Sequence, residues 1–188
     1  MKEIFVKLGN MPKWYGVGVV LLYSILLAEF FSALNTFIQY DDSLNKIIEL
    51  LLKVNYFATV AAGIVVWIIL SLLFHLTVLL FDGYSSFTRF LYSSSYFYLI
   101  PGICILVAIL ILNHIPIEST SPDAIAMLQE HSSFKLAMAL VNYSFIPYYL
   151  LCMILIHHLY KVRLRYAIAS VVIPILSVWA ITKLFTLL

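Results

Sequence analysis

Long apolar runs separated by short polar stretches dominate this chain. Five runs stand out, at about 14–38, 57–81, 96–113, 137–160 and 166–187. A helix rises about 1.5 Å per residue, so crossing a bilayer takes about 20 mostly apolar residues. Four runs meet that standard and the third is marginal. The pattern predicts an all-α polytopic membrane protein, a bundle of five transmembrane helices. Ahead of the first run, Ile4, Phe5, Leu8 and Met11 recur at near-helical spacing beside Lys2 and Lys7, which predicts an interfacial segment over 1–13. A cleaved signal peptide is the rival reading. The run from Trp14 is too long for one, contains Glu29 and is not followed by an A-x-A site, so the segment is expected to be retained.

Composition sharpens the picture. Of the 188 residues, 64% are hydrophobic and 11% charged, with a mean hydropathy of +1.05, outside the usual range of soluble domains. Most residues are committed to spans, which leaves space for one membrane domain over 1–188. The net charge of +2 is dispersed, so no basic patch points to nucleic acid. Cys104 and Cys152 both fall in predicted spans and read as small buried apolar side chains.

Charge in the connections predicts orientation, because Lys and Arg are retained on the cytoplasmic side. Lys2, Lys7, Lys13, Arg89, Lys161, Arg163 and Arg165 fall on one side; Lys46, Lys53, Lys135 and Lys183 fall on the other. Seven against four places the amino terminus inside and, with five spans, the carboxyl terminus outside. Asp41, Asp42, Glu49, Glu118, Asp123 and Glu130 all belong to the two outer loops. Within the spans, Pro101-Gly102, Pro147 and Pro174 each predict a kink. Ala58 with Ala62, and Ala137 with Ala139, are candidates for close helix approach. No internal repeat suggests an inverted transporter fold.

Ionisable groups inside a membrane cost several kcal/mol on translocon scales and are functional candidates for that reason. Glu29, His75, His157 and Lys183 qualify. Counted from the cytoplasmic end, Glu29 and Lys183 lie at roughly 22 and 26 Å. An ion pair between the first and fifth helices would offset both charges, either as a structural pair or as a latch responsive to protons or substrate. A lysine snorkelling outward is the alternative. Asn35, Asn113 and Asn142 fall in the same outer zone and extend a candidate polar network. His75, His157 and Asp82 near the inner surface are a conceivable metal set, but no His or Cys spacing typical of zinc is present, so neither metal nor cofactor is expected. Ser85 lies in a surface turn and Asp41 and Asp42 in a loop, so no catalytic residue is assigned and the chain is not read as an enzyme.

The connection after the second run is the most distinctive stretch: Phe81-Asp82-Gly83-Tyr84-Ser85-Ser86-Phe87, then Tyr96, Tyr98 and Pro101. Gly83 is expected to release the backbone for a turn, a serine to cap the next helix, and the tyrosines to join an interfacial belt. Here the chain resembles the Yip domain family of Ypt-interacting membrane proteins. The resemblance implies five spans, a cytoplasmic amino terminus and a Gly-x-x-Ser-Phe turn after the second span. Gly83, Ser86, Phe87, Tyr96 and Pro101 match in type and order, the proline one residue displaced. Eukaryotic members carry a longer amino-terminal region, with Asp-Leu and Gly-Pro motifs linked to small-GTPase partners. About a dozen residues precede the first span here, without those motifs, so the resemblance implies a short prokaryotic member in a bacterial inner membrane.

Three functional classes follow. One is a non-catalytic scaffold or adaptor assisting transport, secretion or membrane organisation. It would present Gly83, Tyr84, Ser86, Phe87, Tyr96 and Pro101, with Lys161, Arg163 and Arg165 reaching a membrane-protein partner or acidic lipid headgroups. The second is a small transporter or channel, working as a homo-oligomer, with Glu29 and Lys183 near its pathway. The third is a lipid-handling protein that uses kinked helices to open a lateral groove.

Overall fold

The computed structural model describes residues 12–37, 45–116 and 124–187. The expected interfacial segment lies, up to Met11, outside the described residues, as do Ile38, Asp41, Asp42, Glu118 and Asp123. Of the described residues 88% are helical, and no strand occurs among them. The helices are α1 (Lys13–Asn35), α2 (Asn45–Leu79), α3 (Phe87–Ser95), α4 (Leu99–Leu112), α5 (Ala124–Glu130), α6 (Ser132–Tyr143), α7 (Phe145–Tyr160) and α8 (Leu164–Leu187), with a 3-10 turn at Tyr96–Tyr98. Five helical segments, at Lys13–Asn35, Lys46–Leu79, Phe87–Leu112, Ser132–Tyr160 and Leu164–Leu184, are long and apolar enough to cross a membrane. The chain is an all-α integral membrane protein.

Element boundaries depart from the hydrophobic runs for identifiable reasons. The third span is longer than its run, because α3 carries Ser93, Ser94 and Ser95, which mask it in a hydropathy reading. All three are buried. Ser94 and Ser95 donate to the carbonyls of Leu91 and Tyr92 at 3.0 and 2.7 Å, which removes much of the cost of burying a hydroxyl. Ser86 opens this helix, its hydroxyl accepting from the Arg89 N–H at 3.3 Å. The second span begins well before residue 57. At 35 residues α2 is about 52 Å long, which exceeds a hydrocarbon core of about 30 Å. Its amino-terminal turns accordingly carry an exposed Lys53–Glu49 pair, 2.6 Å apart.

Two of the expected kinks resolve differently. The fourth span is interrupted at Ser144, whose N–H and hydroxyl both donate to the Val141 carbonyl. Pro147 thereby falls in the first turn of α7 and Pro101 in the first turn of α4, where a missing N–H costs no helical hydrogen bond. Pro174 lies inside α8.

The chain divides into two compact units. One comprises Val20–Ile64 and Tyr98–Ile146, the other Met1–Val19, Val65–Phe97 and Pro147–Leu188. Both draw on α1 and α2, so these are not successive domains along the sequence. In the first unit α4 packs along α6, and Tyr23, Tyr98 and Phe145 meet edge to face with ring centroids 5.0 to 5.9 Å apart. Close approach in this unit occurs at Gly63, against Ser24 of α1; Ala58 and Ala62 are exposed, while Ala137 is buried. The second unit buries Phe74, Val78, Phe90, Tyr148, Cys152, Leu155, Ile156 and Tyr160. Cys104, in the first unit, is partly exposed. Long apolar side chains such as Ile69, Leu76, Leu110 and Leu176 remain exposed, as expected of helices solvated by lipid.

Candidate functional site

Two constellations gather the polar residues singled out in the sequence. The first lies in the second unit, where two turns meet. The Gly83 N–H donates to the Val78 carbonyl and the Asp82 N–H to the Leu79 carbonyl, each at 3.2 Å. This paired pattern closes α2 with a Schellman motif. Its left-handed position is taken by Asp82, at φ 56°, and no described glycine has positive φ. The expectation that Gly83 frees the turn is therefore corrected. Aspartate is among the few non-glycine residues that tolerate this conformation. Gly83 is required for space: a Cβ there would lie 2.9 Å from Val78 Cγ2, 3.0 Å from the Val78 carbonyl oxygen and 3.2 Å from Val162 Cγ1.

Val162 belongs to the second turn, which links α7 to α8. Lys161 repeats the left-handed conformation at φ 56°. His157 Nδ1 lies 2.7 Å from the Val162 carbonyl, and since a carbonyl only accepts, Nδ1 is the donor. Val162 is buried over Gly83 while Lys161, Arg163 and Arg165 are exposed. Phe81 stacks on Tyr166 with centroids 5.1 Å apart, and the Arg165 guanidinium sits 4.7 Å from that ring. Behind the turns, His75 Nδ1 meets the Tyr160 hydroxyl at 2.5 Å and packs its ring 5.4 Å from Phe87.

Of the surface residues expected from sequence, Tyr84 is 83% exposed and Ser86 is exposed at its cap. Phe87 is half-buried against His75. Tyr96 donates to the Pro12 carbonyl at 2.9 Å, so it fastens the start of α1. Gly83 is buried and acts through packing. Pro101 is buried and belongs to the other unit, so it is not grouped with these turns. His75 and His157 are engaged as described, and among the described residues no three His, Cys, Asp or Glu side chains stand together in a metal-holding group.

The second constellation is a crevice of 240 Å³ in the first unit, between α1 and α2. Glu29 Oε1 accepts a 2.8 Å hydrogen bond from the Tyr56 hydroxyl. Tyr56, Asn35, Asn55, Thr36 and Thr59 line the crevice. Asn35 lines the crevice and Glu29 is tied to its wall only through Tyr56, while Asn113 and Asn142 are exposed outside that lining. Lys183 lies exposed on α8, in the other unit, and the ion pair found among the described residues is Lys53 with Glu49.

Sequence reasoning missed Tyr56, Asn55 and Thr59. The second run was read as starting at residue 57, which put Tyr56 and Asn55 in a loop. Continuing the helical pattern back through Leu50 to Leu52 was the available signal. Asp82, Tyr160 and Val162 were also missed as structural partners. No protein family, curated protein or solved structure matches the chain.

Proposed function

We propose that the chain is a non-catalytic membrane adaptor whose docking surface is the pair of turns at 81–86 and 161–165. The observation that carries this reading is their construction. Two non-glycine residues, Asp82 and Lys161, hold left-handed conformations in turns locked together by Val162 over Gly83. Such backbone states persist where surrounding contacts over-determine them, and they concentrate at functional sites. Beside this rigid base stand exposed Tyr84, Lys161, Arg163 and Arg165, a tyrosine and basic set of the kind enriched at interaction hot spots. An acidic, aromatic-bearing segment of a membrane-protein partner complements it. The Gly-x-x-Ser-Phe turn supports membership of the Yip domain family. The Lys and Arg count supports a cytoplasmic face for both turns and an outer carboxyl terminus; residence in a bacterial inner membrane rests on the family resemblance.

Extraction from native membranes in mild detergent, followed by mass spectrometry of the retained proteins, tests this. The comparison is between the wild type, Gly83→Leu, which disturbs the base, and the double variant Arg163→Glu with Arg165→Glu, which leaves the base intact. One protein partner lost from both variants is expected. A partner retained by the charge-reversed variant, or lipid alone recovered with the wild type, would overturn the adaptor reading.

A further inference from the structure

We infer that the carboxyl-terminal part of α8 docks on α1 of a second copy of the chain, pairing Lys183 with Glu29, independently of the adaptor surface proposed above. The starting point is a stretch of α8 with no buried side. In its first half this helix buries Ala167, Ser170, Val171 and Pro174, the i, i+3, i+4, i+7 stripe of a helix packed on a neighbour. Beyond Pro174 the stripe stops, and every residue from Leu176 to Leu184 is exposed, whichever way it faces. A helix at the rim of a bundle is bare on its lipid side only. This stretch is bare all round.

Charge identifies the occupant. Lys183 stands on the bare stretch, and its ammonium has no ion pair or hydrogen bond among the described residues. Glu29 is exposed on α1, where the Tyr56 hydroxyl donates to Oε1 at 2.8 Å. A carboxylate has about four lone-pair sites and an ammonium three donors, so both groups retain capacity. Each is costly in hydrocarbon without a counter-charge. No ion pair joins them within one chain among the described residues. Between copies their depths agree. As the first and fifth of five spans, α1 and α8 cross in the same direction. Counted from Lys13 and Leu164, Glu29 and Lys183 stand roughly 24 and 28 Å along their helices, a difference below one turn of about 5.4 Å. Leu22, Ile25, Glu29 and Ser32 form an exposed seam on α1 at alternating three- and four-residue spacing. Ser32 beside Glu29 and Ala180 beside Lys183 are small enough for the helices to approach closely. An unrelated partner would have to supply both complements, whereas a second copy carries them at matching depth.

The test reconstitutes donor- and acceptor-labelled full-length chains in phosphatidylcholine liposomes at graded protein-to-lipid ratios and reads association by energy transfer. Glu29→Lys alone and Lys183→Glu alone each bring like charges together between copies. Both should associate at least about tenfold more weakly than the wild type, the scale of one charge-assisted hydrogen bond. Mixed with each other, the two variants regain a complementary pair and should recover association. Rescue in trans is open only to a pair formed between chains. Lys183→Met removes the charge without hindering insertion and should weaken association about tenfold, so it decides the matter if a reversed charge prevents folding. Lys53→Ala, which removes a distant exposed charge, should leave association unchanged. A wild type that stays monomeric at every ratio, or undiminished association of Lys183→Met, would overturn the inference. So would rescue in the double variant Glu29→Lys with Lys183→Glu but not in the mixture, which would place the pair within one chain.

Discussion

Gly63→Ala adds a single methyl group where α2 meets α1 and should destabilise the protein. The new Cβ would fall inside van der Waals contact with Ser24 Oγ, 2.9 Å from Ser24 Cβ and 3.3 Å from Ser24 Cα. Carbon pairs normally rest about 3.5–4.0 Å apart. Ser24 cannot simply yield, because it is fully buried and its hydroxyl donates to the Val20 carbonyl at 2.9 Å. The methyl is accommodated only by parting the helices, and overpacking of this kind costs about 1–3 kcal/mol. Against that, alanine gains up to about 1 kcal/mol over glycine inside a helix. Steric cost wins, for a net loss of about 1–2 kcal/mol. Gly18→Ala in α1 is the internal control: nothing lies within 4 Å of its Cβ position, so helix propensity acts alone and stability should rise. Ser24→Gly removes the obstructing atoms, and the double variant Ser24→Gly with Gly63→Ala should recover stability, with a coupling above about 0.5 kcal/mol. The assay is loss of helicity on titration with a denaturing detergent, the four variants being compared in one micelle composition. Equal effects of Gly18→Ala and Gly63→Ala, or additive effects of the Ser24 and Gly63 changes, would refute this account of the helix contact.

Other substitutions probe the turns and the buried pairs. Gly83→Ala should cost about 1–3 kcal/mol by overpacking against Val78 and Val162; Val162→Ala should restore part of it, measured by the same denaturation. Asp82→Gly should stabilise by about 0.5–1 kcal/mol, because its φ of 56° suits glycine, and Asp82→Val should do the reverse; neither shift would appear if the left-handed turn were wrong. Tyr160→Phe removes the hydroxyl bound by His75 and should cost about 0.6 kcal/mol, the average for polar contacts between membrane helices. A double-mutant cycle with His75→Phe should return coupling of that order, and zero coupling would show the contact to be energetically idle. Lys53→Ala breaks an exposed i,i+4 pair, and thermal denaturation should show no change.

The five spans were legible in the sequence because insertion in a bilayer depends on apolar character summed over contiguous residues. Each segment largely declares itself without reference to the others. The tyrosine and serine turn before α3 was legible for a similar reason, since capping is a local property, and Ser86 caps that helix. What the sequence could not convey depends on contacts between residues far apart in the chain. Gly83 looked like the residue that frees a turn, but Asp82 performs that role and Gly83 is required for space, against Val78 five residues back and against Val162 beyond two further spans. Ser93, Ser94 and Ser95 fell outside the third hydrophobic run yet lie buried in a helix, where backbone carbonyls one turn back and Ser71 satisfy the hydroxyls of Ser94 and Ser95. Glu29 was recognised from its cost in lipid, yet its partner depended on where α2 begins and which face it turns to α1. A burial cost can be read from one residue, whereas the group that offsets it is set by depth and rotation of a second helix, and only tertiary packing determines those.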